Sequence, residues 1–171
     1  MTDSVLYDLA ERAGRALEHR GWMATTAESC TGGWIAEAIT MVPGSSAWFD
    51  RGFVTYTNAA KRGMLGVRAE TLDRHGAVSE AVVREMVEGA LKASDAQVAV
   101  AVSGVAGPGG GTPDKPVGMV CLAWGLEGAP LRSETRHFQG DREAVRRQSV
   151  VHALAVLIEE LQEPVARSGK P

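Results

Sequence analysis

The stretch at residues 25–33 most constrains the fold, because a polar turn there joins two different hydrophobic patterns. Before it, residues 23–27 form a short run of small, β-tolerant side chains, which is typical of a buried strand. After it, apolar residues recur at helical spacing over residues 32–42. A strand that runs directly into a helix indicates an α/β protein. The turn directs backbone N–H groups and short hydroxyl side chains into one small volume that suits an anion.

The polar residues of this turn have two interpretations. Ser29 or Thr31 can simply cap the following helix by accepting its free N–H groups. Alternatively, the hydroxyls can serve a ligand site, in which Gly32 and Gly33 let the ligand come close to the backbone. The turn alone leaves both interpretations open. Cys30 is expected to be a small buried residue, because apolar side chains follow it and no histidine lies in these loops to activate it.

The same two patterns predict the remaining elements. An amphipathic first helix carries Leu6, Leu9, Ala13 and Leu17 and ends at Gly21. Further strands are predicted at residues 48–57, 97–102, 117–124 and 133–138, and further helices start near Asn58, Glu70, Ser79 and Arg142. Strands and helices alternate in the first two-thirds of the chain, and a pair of strands follows. This order predicts an α/β fold, a three-layer α/β/α sandwich with a mixed central sheet.

Length and composition are those of one globular domain. The chain has 171 residues, of which 44% are hydrophobic and 23% are charged. We expect a single domain over residues 1–163 and a disordered tail over residues 164–171.

Charge and residue usage exclude several classes of partner. A formal net charge of −3 argues against nucleic acid. No apolar run approaches the roughly 20 residues that span a bilayer, so no membrane partner is expected. Two cysteines form no disulfide framework, which favours a cytoplasmic location. The cysteines and four histidines show no zinc-ligand spacing, and neither a metal nor a cofactor is expected.

Three loops compete for the functional site, since ligands of α/β sheets bind where loops gather at strand ends. They span residues 28–33, 43–46 and 103–113. Their hydroxyl side chains are Ser29, Thr31, Ser45, Ser46 and Ser103. A serine becomes a strong nucleophile only when a base takes its proton.

The base is more plausibly a lysine than a histidine. No histidine lies in the three loops, and His75 is placed as a helix-terminal residue. Lys61 can act as a base if desolvation lowers its pKa, with Tyr56 as a hydrogen-bonding relay. The competing interpretation of Lys61 is an ordinary surface lysine.

The glycine-rich loop at residues 103–113 matches neither common phosphate-binding motif. The pattern G-x-x-x-x-G-K-[ST] is absent, since Lys115 precedes a proline. The dinucleotide pattern is also absent, because GPG at 107–109 is followed by a strand instead of a helix. The remaining interpretation of this loop is a flexible backbone whose N–H groups can hold a phosphate.

Taken together, these motifs resemble the CinA C-terminal domain family. The resemblance covers about residues 5–160 and rests on AESCTGG (27–33), PGSS (43–46), GFVTYTN (52–58), Lys61, HGAVS (75–79) and SGVAGPGG (103–110). Stand-alone members of that family are nicotinamide-nucleotide amidohydrolases. The resemblance therefore implies hydrolysis of the carboxamide of nicotinamide mononucleotide to nicotinate mononucleotide and ammonia, without a metal, by a homo-oligomer with an α/β/α sandwich fold.

The resemblance also implies a serine–lysine amidase site. On this basis we predict Ser46 as the nucleophile, Lys61 as the base, Ser29 as a relay or orienting hydroxyl, and Tyr56 as a further catalytic residue. Substrate-binding residues are predicted at Thr31, Gly32, Gly33, Ser45, Arg51, Ser103, Gly104, Gly107, Gly109, Gly110 and Arg142. Backbone N–H groups of residues 31–33 or 103–107 are expected to form the oxyanion hole. The cation that contacts the phosphate is expected to be Arg51, Lys115 or Arg142.

Two other functions remain open from the sequence. One is a binding module that senses a pyridine or adenine nucleotide without turning it over. The other is a competence- or damage-associated interaction protein. Release of ammonia from nicotinamide mononucleotide distinguishes the enzyme from both.

Overall fold

A five-stranded sheet lies between two layers of helices in the computed structural model, which describes residues 1–162. The helices are α1 (Ser4–Arg20), α2 (Trp34–Thr40), α3 (Asn58–Leu65), α4 (Ala69–His75), α5 (Glu80–Lys92) and α6 (Arg142–Gln162). The strands are β1 (Ala24–Glu28), β2 (Phe49–Val54), β3 (Val98–Gly104), β4 (Met119–Leu126) and β5 (Arg132–His137), and a 3₁₀ turn spans Ser45–Ala47. The predicted tail at residues 164–171 lies outside the described residues.

The sheet is mixed, as the sequence predicts. Its strand order is β2-β1-β3-β4-β5. Strand β1 pairs in parallel with both β2 and β3, whereas β4 runs antiparallel to β3 and β5. The carboxyl ends of β1, β2 and β3 therefore lie at the same edge of the sheet.

The central strands bury both faces, which explains their nearly continuous apolar sequence. In β3, Val98, Val100 and Val102 pack into the core shared with α1 and α6. The intervening Ala99 and Ala101 pack on the other side, in the core that includes α5. Large side chains thus fill one face and small ones let α5 approach the other. The predicted three-layer arrangement is confirmed.

Helix ends follow capping chemistry, with one difference from the prediction. Gly21 ends α1 in the left-handed conformation, and the Ser79 hydroxyl accepts the Val82 N–H at the start of α5. The pattern also favours Asn58 as the residue that caps α3, because asparagine is a preferred helix cap. The structure places Thr57 there instead, and its hydroxyl accepts the Ala60 N–H at 3.1 Å. The chain must turn to make this cap, so β2 is shorter than predicted.

Within residues 1–162, no helix is both long enough and apolar enough to cross a membrane.

Candidate active site

Three strand ends bring the predicted polar residues together at one edge of the sheet. Ser29 follows β1, Thr55 and Tyr56 follow β2, and Ser103 lies near the end of β3. The Ser29 N–H donates to the carbonyl of Val102 at 3.0 Å, which ties the turn after β1 to the neighbouring strand. Both Ser29 and Ser103 are buried. The parallel pairing of β1, β2 and β3 is what produces this cluster.

Glu28 builds the turn that contains Ser29. Its buried carboxylate accepts the Thr31 hydroxyl at 2.6 Å, the Ile35 N–H at 2.8 Å and the Ala36 N–H at 3.1 Å. Burial raises the pKa of Glu28, while these donors favour the ionised form. Glu28, instead of Ser29 or Thr31, therefore satisfies the N-terminus of α2. The Ser29 hydroxyl is left available for another role.

Lys61 is the partner of that hydroxyl. Although it is a lysine, only 1% of it is exposed. Its Nζ donates to Ser29 Oγ at 2.9 Å, to the Thr55 carbonyl at 3.0 Å and to the Tyr56 carbonyl at 3.5 Å. No salt bridge involves Lys61 among the described residues. Burial lowers the pKa of Lys61, which favours the neutral amine that a base requires.

The structure does not bring Ser46, the predicted nucleophile, to this lysine. Ser46 lies in the 3₁₀ turn that precedes β2 and is exposed. The Ala24 N–H, at the start of β1, donates to the Trp48 carbonyl of this region at 2.7 Å. Ser29 follows the other end of β1, roughly 13 Å away at about 3.3 Å per residue. Ser45 shares the 3₁₀ turn and lies at the same distant edge.

Tyr56 contacts Lys61 through its carbonyl, while its hydroxyl has another partner. Arg142, the first residue of α6, donates to the Tyr56 hydroxyl at 3.0 Å and to the Gly107 carbonyl at 2.8 Å. Arg142 thus connects the chain after β2 with the glycine-rich loop after β3. A relay from the Tyr56 hydroxyl to Lys61 is not present in this arrangement.

The other two predicted cations are occupied elsewhere. Arg51 forms ion pairs with Asp50 and Asp95 and donates to the Ala93 carbonyl, which ends α5. Lys115 donates from Nζ to the His75 carbonyl at the end of α4. Of the three predicted phosphate contacts, only Arg142 adjoins the Ser29 region.

The predicted glycines divide between the turn and the loop. Gly32 and Gly33 have φ angles of 61° and 100°, a region that favours glycine, and so permit the tight turn before α2. Gly104 ends β3, where an added Cβ would lie 2.7 Å from the Val120 side chain. Gly109 and Gly110 are exposed within the loop.

A residue that sequence reasoning missed, Arg146, lies against the same turn. Its Nε donates to the Cys30 carbonyl at 3.0 Å and its Nη2 to the Thr31 carbonyl at 3.2 Å. Its guanidinium lies 5.3 Å from the centre of the Trp34 ring. The signal was available, because Arg142 and Arg146 are four residues apart on one helix and therefore share a face. A cavity of about 410 Å³ lined by Trp34, Arg142, Glu143 and Arg146 adjoins them.

Cys30 behaves as the small buried residue that the sequence predicts. It is 6% exposed, and burial raises the pKa of its thiol to about 12. A thiolate nucleophile at this position is therefore strongly disfavoured. In the described part of the chain, no group of three His, Cys, Asp or Glu side chains is placed to hold a metal ion.

A family model matches nearly the whole of the described chain. The model of the CinA C-terminal domain matches residues 6–161. The chain belongs to the CinA C-terminal domain family.

Two relatives of the same name match the chain over most of their length. It is 57% identical over 157 residues to a protein from Escherichia coli (strain K12) named nicotinamide-nucleotide amidohydrolase PncC, covering 92% of this chain and 95% of the relative. A Pseudomonas putida protein of the same name is 60% identical over 151 residues, covering 88% and 94%. The crystal structure of competence/damage inducible protein CihA from Agrobacterium tumefaciens superposes with a TM-score of 0.91 at 47% identity, covering 95% of this chain and 99% of that one.

Proposed function

We propose that this chain is an amidohydrolase that converts nicotinamide mononucleotide and water to nicotinate mononucleotide and ammonia, with Ser29 as nucleophile and Lys61 as base. The observation that carries the mechanism is the 2.9 Å contact between Lys61 Nζ and Ser29 Oγ, both buried. The names of the Escherichia coli and Pseudomonas putida relatives support the substrate. Ser29 takes the nucleophilic role assigned to Ser46 on sequence grounds, because Lys61 cannot reach Ser46.

The surroundings of Lys61 fit a neutral amine. A neutral amine has two N–H donors and one lone pair. Two carbonyls, of Thr55 and Tyr56, are positioned to accept the two N–H groups. The 2.9 Å hydrogen bond with Ser29 reverses in this protonation state, so that the serine hydroxyl donates to the lone pair of the neutral amine. A protonated lysine would instead be a buried cation without a carboxylate partner in the described part of the chain, which is costly. The amine is therefore ready to accept the serine proton.

The first half of the reaction forms an acyl-enzyme. Lys61 Nζ takes the hydroxyl proton as Ser29 Oγ attacks the carboxamide carbon. A C–O bond forms and the carbonyl oxygen becomes an oxyanion. Lys61 then returns the proton to the amide nitrogen, the C–N bond breaks, and ammonia leaves.

The second half uses the same base on water. Lys61 takes a proton from the attacking water, the new tetrahedral species collapses, and the ester bond to Ser29 breaks. The proton returns to Ser29 Oγ and nicotinate mononucleotide leaves. The consumption of one water and the release of one ammonia balance the reaction.

The phosphate of the substrate is held locally, because the protein as a whole is acidic. Arg142 is the candidate cation, since it lies beside the cavity and its partners among residues 1–162 are neutral, the Tyr56 hydroxyl and the Gly107 carbonyl. Backbone N–H groups of the glycine-rich loop add charge-assisted hydrogen bonds. The homo-oligomeric state predicted from the family resemblance remains part of this proposal.

An ammonia-release assay with nicotinamide mononucleotide tests the function, with EDTA present because no metal is required. We expect turnover by the unmodified protein and none by Ser29→Ala. Tight binding of the nucleotide by the unmodified protein without ammonia release would support the binding-module alternative and refute the enzyme.

A comparison of substrates tests the phosphate contact. The kcat/KM for nicotinamide riboside should be far below that for the mononucleotide, because the riboside lacks the phosphate and so forms none of the charge-assisted hydrogen bonds with Arg142 and the loop N–H groups. Arg142→Ala should raise KM for the mononucleotide and leave the riboside nearly unaffected. An equal effect of Arg142→Ala on both substrates would show that Arg142 does not bind the phosphate.

A further inference from the structure

The Arg146 guanidinium donates its hydrogen bonds to backbone carbonyls instead of to a side chain. Two of its nitrogens are committed to the carbonyls of Cys30 and Thr31, the two residues that follow Ser29. Its guanidinium lies over the Trp34 ring, and no carboxylate pairs with it in the described part of the chain. Arg146 of α6 is thus hydrogen-bonded to one side of the turn that follows Ser29.

The N–H groups of this turn differ in whether the protein uses them. Within residues 1–162, neither the Cys30 N–H nor the Thr31 N–H donates a hydrogen bond to another residue. By contrast, the N–H groups of Ser29 and Gly32 are engaged with the carbonyls of Val102 and Ser29. The Cys30 N–H lies against the thiol of Cys30 itself, so the free donor is the Thr31 N–H, two residues after the proposed nucleophile.

The carbonyl that Arg146 Nε binds and the free N–H of Thr31 belong to one peptide bond. The Cys30 carbonyl and the Thr31 N–H belong to the same planar, trans peptide unit, so they point in opposite directions. Fixing the carbonyl on the Arg146 side therefore fixes the direction of the Thr31 N–H on the other side. A charged donor at the carbonyl oxygen also polarises the unit, which makes its N–H a stronger donor.

We propose that Arg146 is a positioning residue that orients and polarises the Cys30–Thr31 peptide, so that the Thr31 N–H stabilises the oxyanion formed when Ser29 attacks. The proposal rests on the assignment of Ser29 as nucleophile. Arg146 acts through the backbone and does not bind the substrate phosphate, which is the role given to Arg142.

Kinetic constants for two substitutions separate these roles. Removal of one oxyanion donor typically lowers kcat by ~10²–10³-fold, so Arg146→Ala should lower kcat by about 10²-fold with KM for nicotinamide mononucleotide nearly unchanged. Arg146→Lys keeps the charge but cannot bond both carbonyls with fork geometry, so its kcat should lie between those of Arg146→Ala and the unmodified protein. Addition of methylguanidine to Arg146→Ala should restore part of kcat.

The neighbouring Arg147 provides a matched control on the same helix. Its guanidinium bonds both carboxylate oxygens of Asp3, at 2.7 Å and 3.1 Å, away from the nucleophile turn. Arg147→Ala should lower thermal stability and leave kcat unchanged. If Arg146→Ala and Arg147→Ala lower kcat equally, Arg146 is merely structural and the proposal is overturned. A rise in KM for Arg146→Ala without a fall in kcat overturns it as well, since that result identifies a substrate contact.

Labelling of Ser29 by a fluorophosphonate gives a readout that does not depend on the natural substrate. The reagent forms an Oγ–P bond and releases fluoride, and its rate, followed by peptide mass spectrometry, requires the same base and oxyanion donors. We expect labelling of Ser29 in Arg146→Ala to slow by a factor similar to the fall in kcat. Slowed labelling in a protein that releases no ammonia would refute the proposed substrate and support the role of Arg146. If Arg146→Ala does not fold, the fall in labelling rate is compared with the fall in kcat for Arg146→Lys instead. An unchanged labelling rate in a folded variant refutes the positioning role of Arg146.

Discussion

Two clusters of ionisable side chains, one half-buried and one buried, differ in whether those side chains contact an opposite charge. Between β5 and α6, Glu134 accepts from Arg132, Arg136 and His152, and Arg132 also bonds Glu160. At the carboxyl edge of the parallel strands, Lys61 contacts a hydroxyl and two carbonyls, with no carboxylate partner among residues 1–162. The pKa of Glu134 and the pKa of Lys61 are both lowered, which favours the charged form of the carboxylate and the neutral form of the amine.

The paired cluster holds its charges and the unpaired lysine tends to lose its charge. The surrounding donors lower the pKa of Glu134 to about 2, although burial alone would raise it. Burial lowers the pKa of Lys61, because no carboxylate among residues 1–162 pairs with its ammonium. The paired ions around Glu134 stabilise the fold. The buried amine of Lys61 has no ionic partner in the described residues, so it costs stability and is ready for proton transfer. A perturbed group without a structural partner is therefore the better candidate for chemistry.

The largest expected effect comes from Ser29, the only hydroxyl that contacts Lys61 Nζ in the described residues. Ser29→Ala should lower kcat by on the order of 10³-fold or more, because removal of a nucleophile disables the whole catalytic unit. Ser46→Ala is the matched control and should leave kcat within about twofold, since Ser46 is exposed at the opposite edge of the sheet. Loss of turnover in Ser46→Ala with activity retained in Ser29→Ala would reverse the assignment.

Removal of the unpaired amine should have the next largest effect. Lys61→Ala should lower kcat by ~10²–10⁴-fold, the usual contribution of general acid–base catalysis. Lys61→Arg should not restore activity, because a guanidinium stays protonated. Near-normal turnover in Lys61→Arg would reduce Lys61 to a positioning charge.

The pH dependence of kcat/KM sharpens the same assignment. Only the neutral amine accepts the serine proton, so kcat/KM should rise with pH through the pKa of Lys61 and reach a plateau above it. Because burial lowers that pKa, the rise should be centred below 10.5, the ordinary lysine value. A kcat/KM that falls as pH rises over this range would contradict a lysine base.

The paired cluster should affect stability and leave catalysis alone. Glu134→Gln should lower the free energy of unfolding near pH 7 by about 3 kcal/mol, the equivalent of a pKa lowered from 4.5 to about 2. The stabilisation is fully present above pH 4.5 and is lost as pH falls towards 2, where the folded protein also binds the proton. Denaturant unfolding of both proteins between pH 7 and pH 2 should show the difference disappear.

A neighbouring carboxylate serves as the control for this measurement. Glu159 pairs with Arg132 at 3.5 Å, but 63% of its side chain is exposed, so Glu159→Gln should have a much smaller effect. A fall in kcat caused by Glu134→Gln, with stability unchanged, would remove the distinction between the two clusters.

Sequence periodicity was sufficient for the fold because most elements carry a strong local signal. The apolar run that became β3 and the helical spacing that became α5 predicted elements close to those observed. The length of β2 was overestimated, since its residues continue a strand pattern beyond the point where Thr57 caps α3.

The site was only partly predictable, because it depends on strand direction and on long-range contacts. Ser29 follows a parallel strand and Ser46 precedes one, so the two loops lie at opposite edges of the sheet. The sequence motifs alone do not show at which edge of the sheet each serine lies. Glu28 was unrecognised as the cap of α2, because it lies seven residues before the N–H of Ile35.

The most direct test of the central claim is to trap the covalent intermediate and identify the modified residue. The protein is mixed with nicotinamide mononucleotide, quenched with acid during the first turnover, digested, and analysed by peptide mass spectrometry. We expect an acyl adduct, the substrate mass less ammonia, on Ser29. We also expect that Lys61→Ala and Ser29→Ala accumulate no such adduct. An adduct on Ser46, Ser45, Ser103 or Cys30 would contradict Ser29 as the nucleophile.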